Sequence, residues 1–77
     1  MKLAQTQNGK IIVTRRTKNG AYERMGELTT TLSLKEAKAK YHEQLEQFEN
    51  FYNDKPNARY NLREAIRRFN RDIVSND

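Results

Sequence analysis

The residues of this chain best able to do chemistry are its cations, and the chemistry open to them is the gripping of anions. Arg15, Arg16, Lys18 and Arg24 crowd one stretch, with Lys10 just before it. Further on, Arg63, Arg67 and Arg71 recur at every fourth residue, with Arg68 beside them and Arg59 ahead. A guanidinium is a planar fork of N–H donors that fits phosphate or carboxylate bidentately, so Arg in place of Lys favours that use. Other chemistry is poorly supplied. The chain has no cysteine, which removes thiolate catalysis and disulfides. His42 is the only histidine, too few nitrogen ligands for a zinc site, and no metal or cofactor is expected. Glu43, Glu46 and Glu49 sit three apart with no partner set for acid–base catalysis. No Gly-rich phosphate loop or nucleophile elbow occurs. The expectation is a protein that is not an enzyme.

Composition bounds the rest. With 77 residues, 35% hydrophobic and 32% charged, the chain is expected to form a single small domain, 1–77, with a thin core. No apolar run approaches the ~20 residues of a membrane span, so a cytoplasmic protein without a membrane partner is expected. The formal net charge of +5 is unevenly placed. Residues 1–31 carry a balance of +4, residues 32–54 carry −2, and residues 55–77 carry +3. Two basic segments flanking an acidic one favour a polyanionic partner.

The elements that must position these cations can be read from turn and periodicity signals. Asn8-Gly9 and Asn19-Gly20 each mark a hairpin, with a type I′ turn and a two-residue loop as the expectation. Between them, Ile11, Ile12, Val13, Thr14 and Thr17 make a β-branched strand. Residues 2–7 pair weakly on one side of it. Ala21 to Thr31 follows on the other, with Gly26 as a bulge or bend. Ser33 and Glu36 form a capping box flanked by Leu32 and Ala37. Apolar residues at 34, 37, 41, 45, 48 and 52 then continue a helix over 33–53. Asn53 to Asn57 breaks it, and a second helix over 60–74 is expected, capped by Asn61 with Glu64. Its apolar stripe is Leu62, Ala65, Ile66, Phe69 and Ile73. The fold class is therefore α+β: a three-stranded antiparallel meander over 2–31, then an antiparallel two-helix hairpin, βββαα.

Under a two-residue loop at Asn19-Gly20, Thr17 faces Tyr22, Arg16 faces Glu23, Thr14 faces Met25, Val13 faces Gly26 and Ile11 faces Leu28. One sheet face then carries Ile11, Val13, Tyr22 and Leu28, with Arg15 and Arg24 at its far end. The other carries Ile12, Thr14, Arg16, Lys18, Glu23, Met25 and Glu27. This second face is the expected ligand surface, with Thr14 and Gln5 available to base edges and the cations to phosphates or guanine. Basic residues at a hairpin tip also serve simply to solvate an edge and discourage strand pairing. The arginines of the second helix lie opposite its apolar stripe and suit either a polyanion or an acidic patch on a protein.

The meander centred on "KIIVTRRTKNGAYER", followed by "TLSLKEAKAKYHEQLEQF", resembles the N-terminal arm-binding domains of phage and transposon tyrosine integrases. The likeness covers about residues 3–50 and includes Ser33-Leu34-Lys35-Glu36-Ala37 at the start of the helix. It implies that the exposed sheet face enters a DNA major groove, through Thr14, Arg16, Lys18 and Glu23, with Arg24 nearby. No catalytic integrase domain is expected to follow, and the second helix is not part of the pattern. The expected nucleic-acid-binding residues are Lys10, Thr14, Arg15, Arg16, Lys18, Arg24, Arg63, Arg67, Arg68 and Arg71. DNA is expected over RNA, in a phage or mobile-element regulator. The alternative is a small phage-encoded, anti-CRISPR-like inhibitor that binds an acidic surface of a host nuclease or defence complex. A homodimer through the Phe51/Tyr52 end of the first helix is a third option.

Overall fold

The computed structural model describes residues 1–76; Asp77 lies outside them. The chain runs through strands β1 (Lys2–Gln5), β2 (Ile11–Arg16) and β3 (Tyr22–Leu28), then helices α1 (Leu34–Tyr52) and α2 (Ala58–Asp72), with a short 3-10 turn over Val74–Asn76. The sheet is an antiparallel meander of order β1-β2-β3, and the expected βββαα arrangement is what forms.

Both Asn-Gly signals make turns, but not the expected type. Only the glycines have positive φ, at +83° for Gly9 and +84° for Gly20. In each loop the threonine three positions before the glycine accepts from the glycine N–H, Thr6 at 2.9 Å and Thr17 at 3.0 Å. The Thr6 and Thr17 N–H groups donate to the carbonyls of Lys10 and Ala21. This is a three-residue loop, a type I turn closed by a left-handed glycine, rather than a two-residue type I′ turn.

The longer loop moves the register by one, and a bulge moves it back. Arg16 faces Tyr22, Arg15 faces Glu23 and Thr14 faces Arg24, after which Val13 faces Gly26 and Ile11 faces Leu28. Met25 is the extra residue opposite the Val13/Thr14 junction. The pairs expected beyond the bulge therefore form, and those expected between turn and bulge do not. Side chains there change face, as a one-residue slip requires. Met25 is buried at 2% exposure, while Tyr22, expected inside, is 55% exposed.

Helix boundaries follow local chemistry. The Ser33 capping box is complete: Ser33 Oγ accepts from Glu36 N–H, and Glu36 Oε1 accepts from Ser33 N–H. The second helix starts earlier than Asn61. Its cap is Asn57, in the left-handed region with no side-chain cap bond, while Asn61 sits inside the helix and donates to the Pro56 carbonyl. The expected strand over Thr29 to Thr31 stops at Leu28, because Asn70 Oδ1 takes the Thr29 N–H at 3.1 Å. Ile73 caps α2 and is 38% exposed, and Val74 fills the core beside it.

Both helices pack on one face of the sheet, α1 along β1 and α2 along β3. Leu3, Ile11, Val13, Met25 and Leu28 meet Ala37, Tyr41 and Leu45 from α1 and Leu62, Ile66 and Phe69 from α2. Phe69 takes the edges of two α1 rings, Tyr41 at 5.2 Å and Phe48 at 5.7 Å between centroids. Each such pair contributes about 1 kcal/mol beyond area burial. α2 comes closest to the sheet at Gly26, where an added Cβ would lie 3.1 Å from Ile66 Cγ2. Gly26→Val is expected to destabilise the fold by about 1–3 kcal/mol, since the isopropyl group must displace Ile66. Urea unfolding measures it, and an unchanged midpoint removes close approach as a constraint on β3.

Candidate nucleic-acid interface

Strand alternation and the bulge together decide what stands on the helix-free side of the sheet. From β2 it receives Ile12, Thr14 and Arg16; from β3, Tyr22, Arg24 and Glu27; from β1, Lys2 and Ala4. Lys10 and Lys18 extend the surface beyond the two ends of β2. Lys2, Lys10, Arg16, Lys18 and Arg24 are all exposed. Glu46 and Glu49 of α1 line a cleft with Lys2, Arg16 and Tyr22 at the border of this side, and both are engaged by the Met1 amine. Glu27, on the strand face itself, is shared. It lies 3.8 Å from Arg24 Nη2 and 4.0 Å from Lys10 Nζ. Exposed pairs this long contribute about 0–1 kcal/mol and yield readily to a polyanion. The Lys2 ammonium stands 5.7 Å from the Tyr22 ring centroid, a cation–π distance. The surface is thus a cationic strip about 25 Å long with one exposed aromatic ring.

The structure brings only part of the expected set together. Arg16, Lys18, Arg24 and Lys10 share the open face. Arg24 was expected at the end of the apolar face, and the bulge turns it outward. Arg15 goes the other way: it alternates with Ile11 and Val13 towards the helices, opposite Glu23. Glu23, expected on the ligand face, is held there by Arg59 Nε from α2. One guanidinium nitrogen of Arg15 (Nη1) and one Glu23 oxygen (Oε2) are buried with no hydrogen-bond partner among the described residues. Thr14 is 9% exposed, and its hydroxyl already donates to the Lys2 carbonyl at 3.0 Å, so it is not offered to a base edge. Gln5 donates to the Gly9 carbonyl and secures the first turn.

The arginines of α2 are engaged differently. Arg63 Nη2 donates to the Arg24 carbonyl, and Asn70 Nδ2 donates to the Glu27 carbonyl at 2.7 Å. These two side chains close the outer edge of β3, which would otherwise present unpaired backbone groups. Arg67 meets Glu64 at 3.2 Å, and Arg71 meets Asp72 through Nε at 2.9 Å. The Arg71 hydrogen bond, with the charges of Arg71 and Arg68, holds the exposed Asp72 carboxyl below the usual carboxylate range. Arg68 lines a largely apolar groove with Phe48, Tyr52, Phe69, Ile73 and the Asp72 carboxylate. Phe51 is 63% exposed at the end of α1, with the Lys55 ammonium 4.9 Å from its ring centroid.

Lys2 and Tyr22 belong to the open face and were not among the expected site residues. Lys2 was legible from its alternation with Met1 and Leu3; Tyr22 was not, because its side depends on the loop length. Among the described residues no group of His, Cys, Asp or Glu is placed to hold a metal, and no helix is long and apolar enough to cross a membrane. Compared with family models, with curated proteins and with solved structures, the chain matches none.

Glu23→Ala is expected to lower stability by about 1–2 kcal/mol, since it frees Arg59 and removes the charge opposite Arg15, whose Nη1 is buried without a hydrogen-bond partner. Adding Arg15→Met, which replaces the stranded charge with an apolar stem, recovers much of that loss. Unfolding midpoints of the single and double variants test this, and a double variant no better than Glu23→Ala refutes it.

Proposed function

We propose that this protein binds double-stranded DNA by laying the open face of its sheet into the major groove. The observation that carries this reading is the gathering of Lys2, Lys10, Arg16, Lys18 and Arg24 on the one sheet face left uncovered by helices. Three strands span about 10 Å between outer axes, against a groove about 12 Å wide. Arg16 and Arg24 suit guanine edges or phosphates bidentately, and the lysines suit phosphates. The A-form groove of RNA is too deep and narrow for a sheet, which favours DNA. The resemblance to integrase arm-binding domains supports the same docking, in a non-enzymatic phage or mobile-element regulator acting in the cytoplasm.

A second reading is an inhibitor that docks on an acidic surface of a host protein complex through α2. Arg68 beside its apolar groove favours it. The carboxylates already set against Arg67 and Arg71 weigh the other way.

A mobility-shift titration against duplex DNA separates the two. With about five phosphate contacts, affinity falls roughly 500-fold between 50 and 200 mM salt. Arg16→Ala and Arg24→Ala each weaken binding about tenfold or more, while Arg15→Met, on the helix side, leaves it unchanged. A flat salt response, or equal losses from Arg15→Met and Arg16→Ala, overturns the DNA reading.

A further inference from the structure

A sheet seated in a major groove has a sugar–phosphate ridge running beside each of its outer strands. Next to β3 that position belongs to α2, whose Arg63 is tied to the Arg24 carbonyl. Next to β1 it belongs to α1. Lys38 and His42, one helical turn apart, form with Lys2 and Leu3 an open cleft of about 270 Å³ between α1 and β1. Lys2, Lys38 and His42 are exposed. Neither lysine has a carboxylate within ion-pair distance among the described residues. Glu43 follows His42 on α1 but does not line the cleft, and Glu46, one helical turn on from His42, is engaged by the Met1 amine at 3.1 Å. The cleft thus collects two ammonium groups and an imidazole, borders the cationic sheet face through Lys2, and holds no anion of its own.

We propose that this cleft seats a backbone phosphate of the bound duplex, so that α1 adds a contact outside the groove. The inference rests on the DNA reading above and extends its footprint past the sheet edge. Lys2 and Lys38 would flank the phosphate as point charges, and an imidazole N–H of His42 would donate to one of its oxygens. Such a contact carries no base information. It adds the same increment to every sequence and one further cation to the salt dependence.

Fluorescence anisotropy with two duplexes of unrelated sequence, between 50 and 200 mM sodium chloride, tests this on the full chain. Lys38→Glu is expected to weaken binding about tenfold on both duplexes and to lower the slope of log K against log salt by about one. Lys38→Gln gives the same slope change with a smaller loss, and His42→Ala weakens both duplexes two- to threefold at a nearly unchanged slope. Lys38 is exposed, so thermal unfolding of its variants should match the parent protein. If Lys38→Glu leaves affinity and slope unchanged while Arg16→Ala weakens binding, the cleft is not a phosphate site and the sheet-face reading stands. A loss confined to one duplex also overturns the proposal, because it signals base readout. If the parent protein binds neither duplex, the DNA reading fails and takes this one with it.

Discussion

Between the Val13–Gly26 pair and the Thr14–Arg24 pair, β3 carries Met25 without a partner, and the alternation of its side chains changes phase there. The phase change lets the Leu28 end of the strand serve the core through Leu28 and Gly26. It also lets the Tyr22 end turn Tyr22 and Arg24 outward and Glu23 inward. Met25 itself is driven into the core, where its flexible thioether fills space beside Ile66. Without that extra residue the three-residue loop would leave β3 out of step with Ile11 and Val13. The apolar half of the strand would then face water. Loop and bulge are a matched pair, and the composition of the open face follows from the match.

The bulge also sorts the charges. Glu23 goes to the helix side, where Arg59 secures the start of α2 to the second hairpin. That removes a carboxylate from the open face, where Glu27 stays among five cations with Glu46 and Glu49 at the border. On α2 the balance is reversed. Arg67 and Arg71 sit against Glu64 and Asp72, and Arg63 closes the edge of β3. Fifteen cations against ten acids would allow many surfaces. Here Lys2, Arg16, Lys18 and Lys38 are exposed and have no carboxylate in ion-pair distance among the described residues. They lie on the sheet and beside β1, with Lys10 and Arg24 only loosely shared by Glu27, so that a linear polyanion could follow them.

Stability and the candidate site share the same few contacts. Gly26 lets Ile66 approach β3, and Arg63 and Asn70 then reach that strand's outer carbonyls. α2 therefore covers one edge of the sheet and one face of it. The opposite face is left without a layer, an arrangement an antiparallel sheet tolerates when that face is polar. The burial of Thr14 under its bond to the Lys2 carbonyl keeps the middle of this face flat, with the long cationic side chains around it.

The amino-acid sequence by itself determined the element order, the two turns, the capping box at Ser33 and the apolar stripe of α2. Each of these rests on chemistry between residues at most a few positions apart. It also determined that Arg15 would end on the apolar side, since period-two alternation from Ile11 and Val13 is local. It did not determine the faces of Tyr22, Glu23, Arg24 and Met25, nor the start of α2. Asn-Gly suits both a two-residue and a three-residue loop, and a bulge has no signature of its own in β3. Only packing against Ile66 and the core selects the register that buries Leu28, Met25 and Val13 together. The partnering of the α2 arginines was likewise a tertiary outcome for Arg59 and Arg63, because their acceptors lie on β3, nearly forty residues away in the chain.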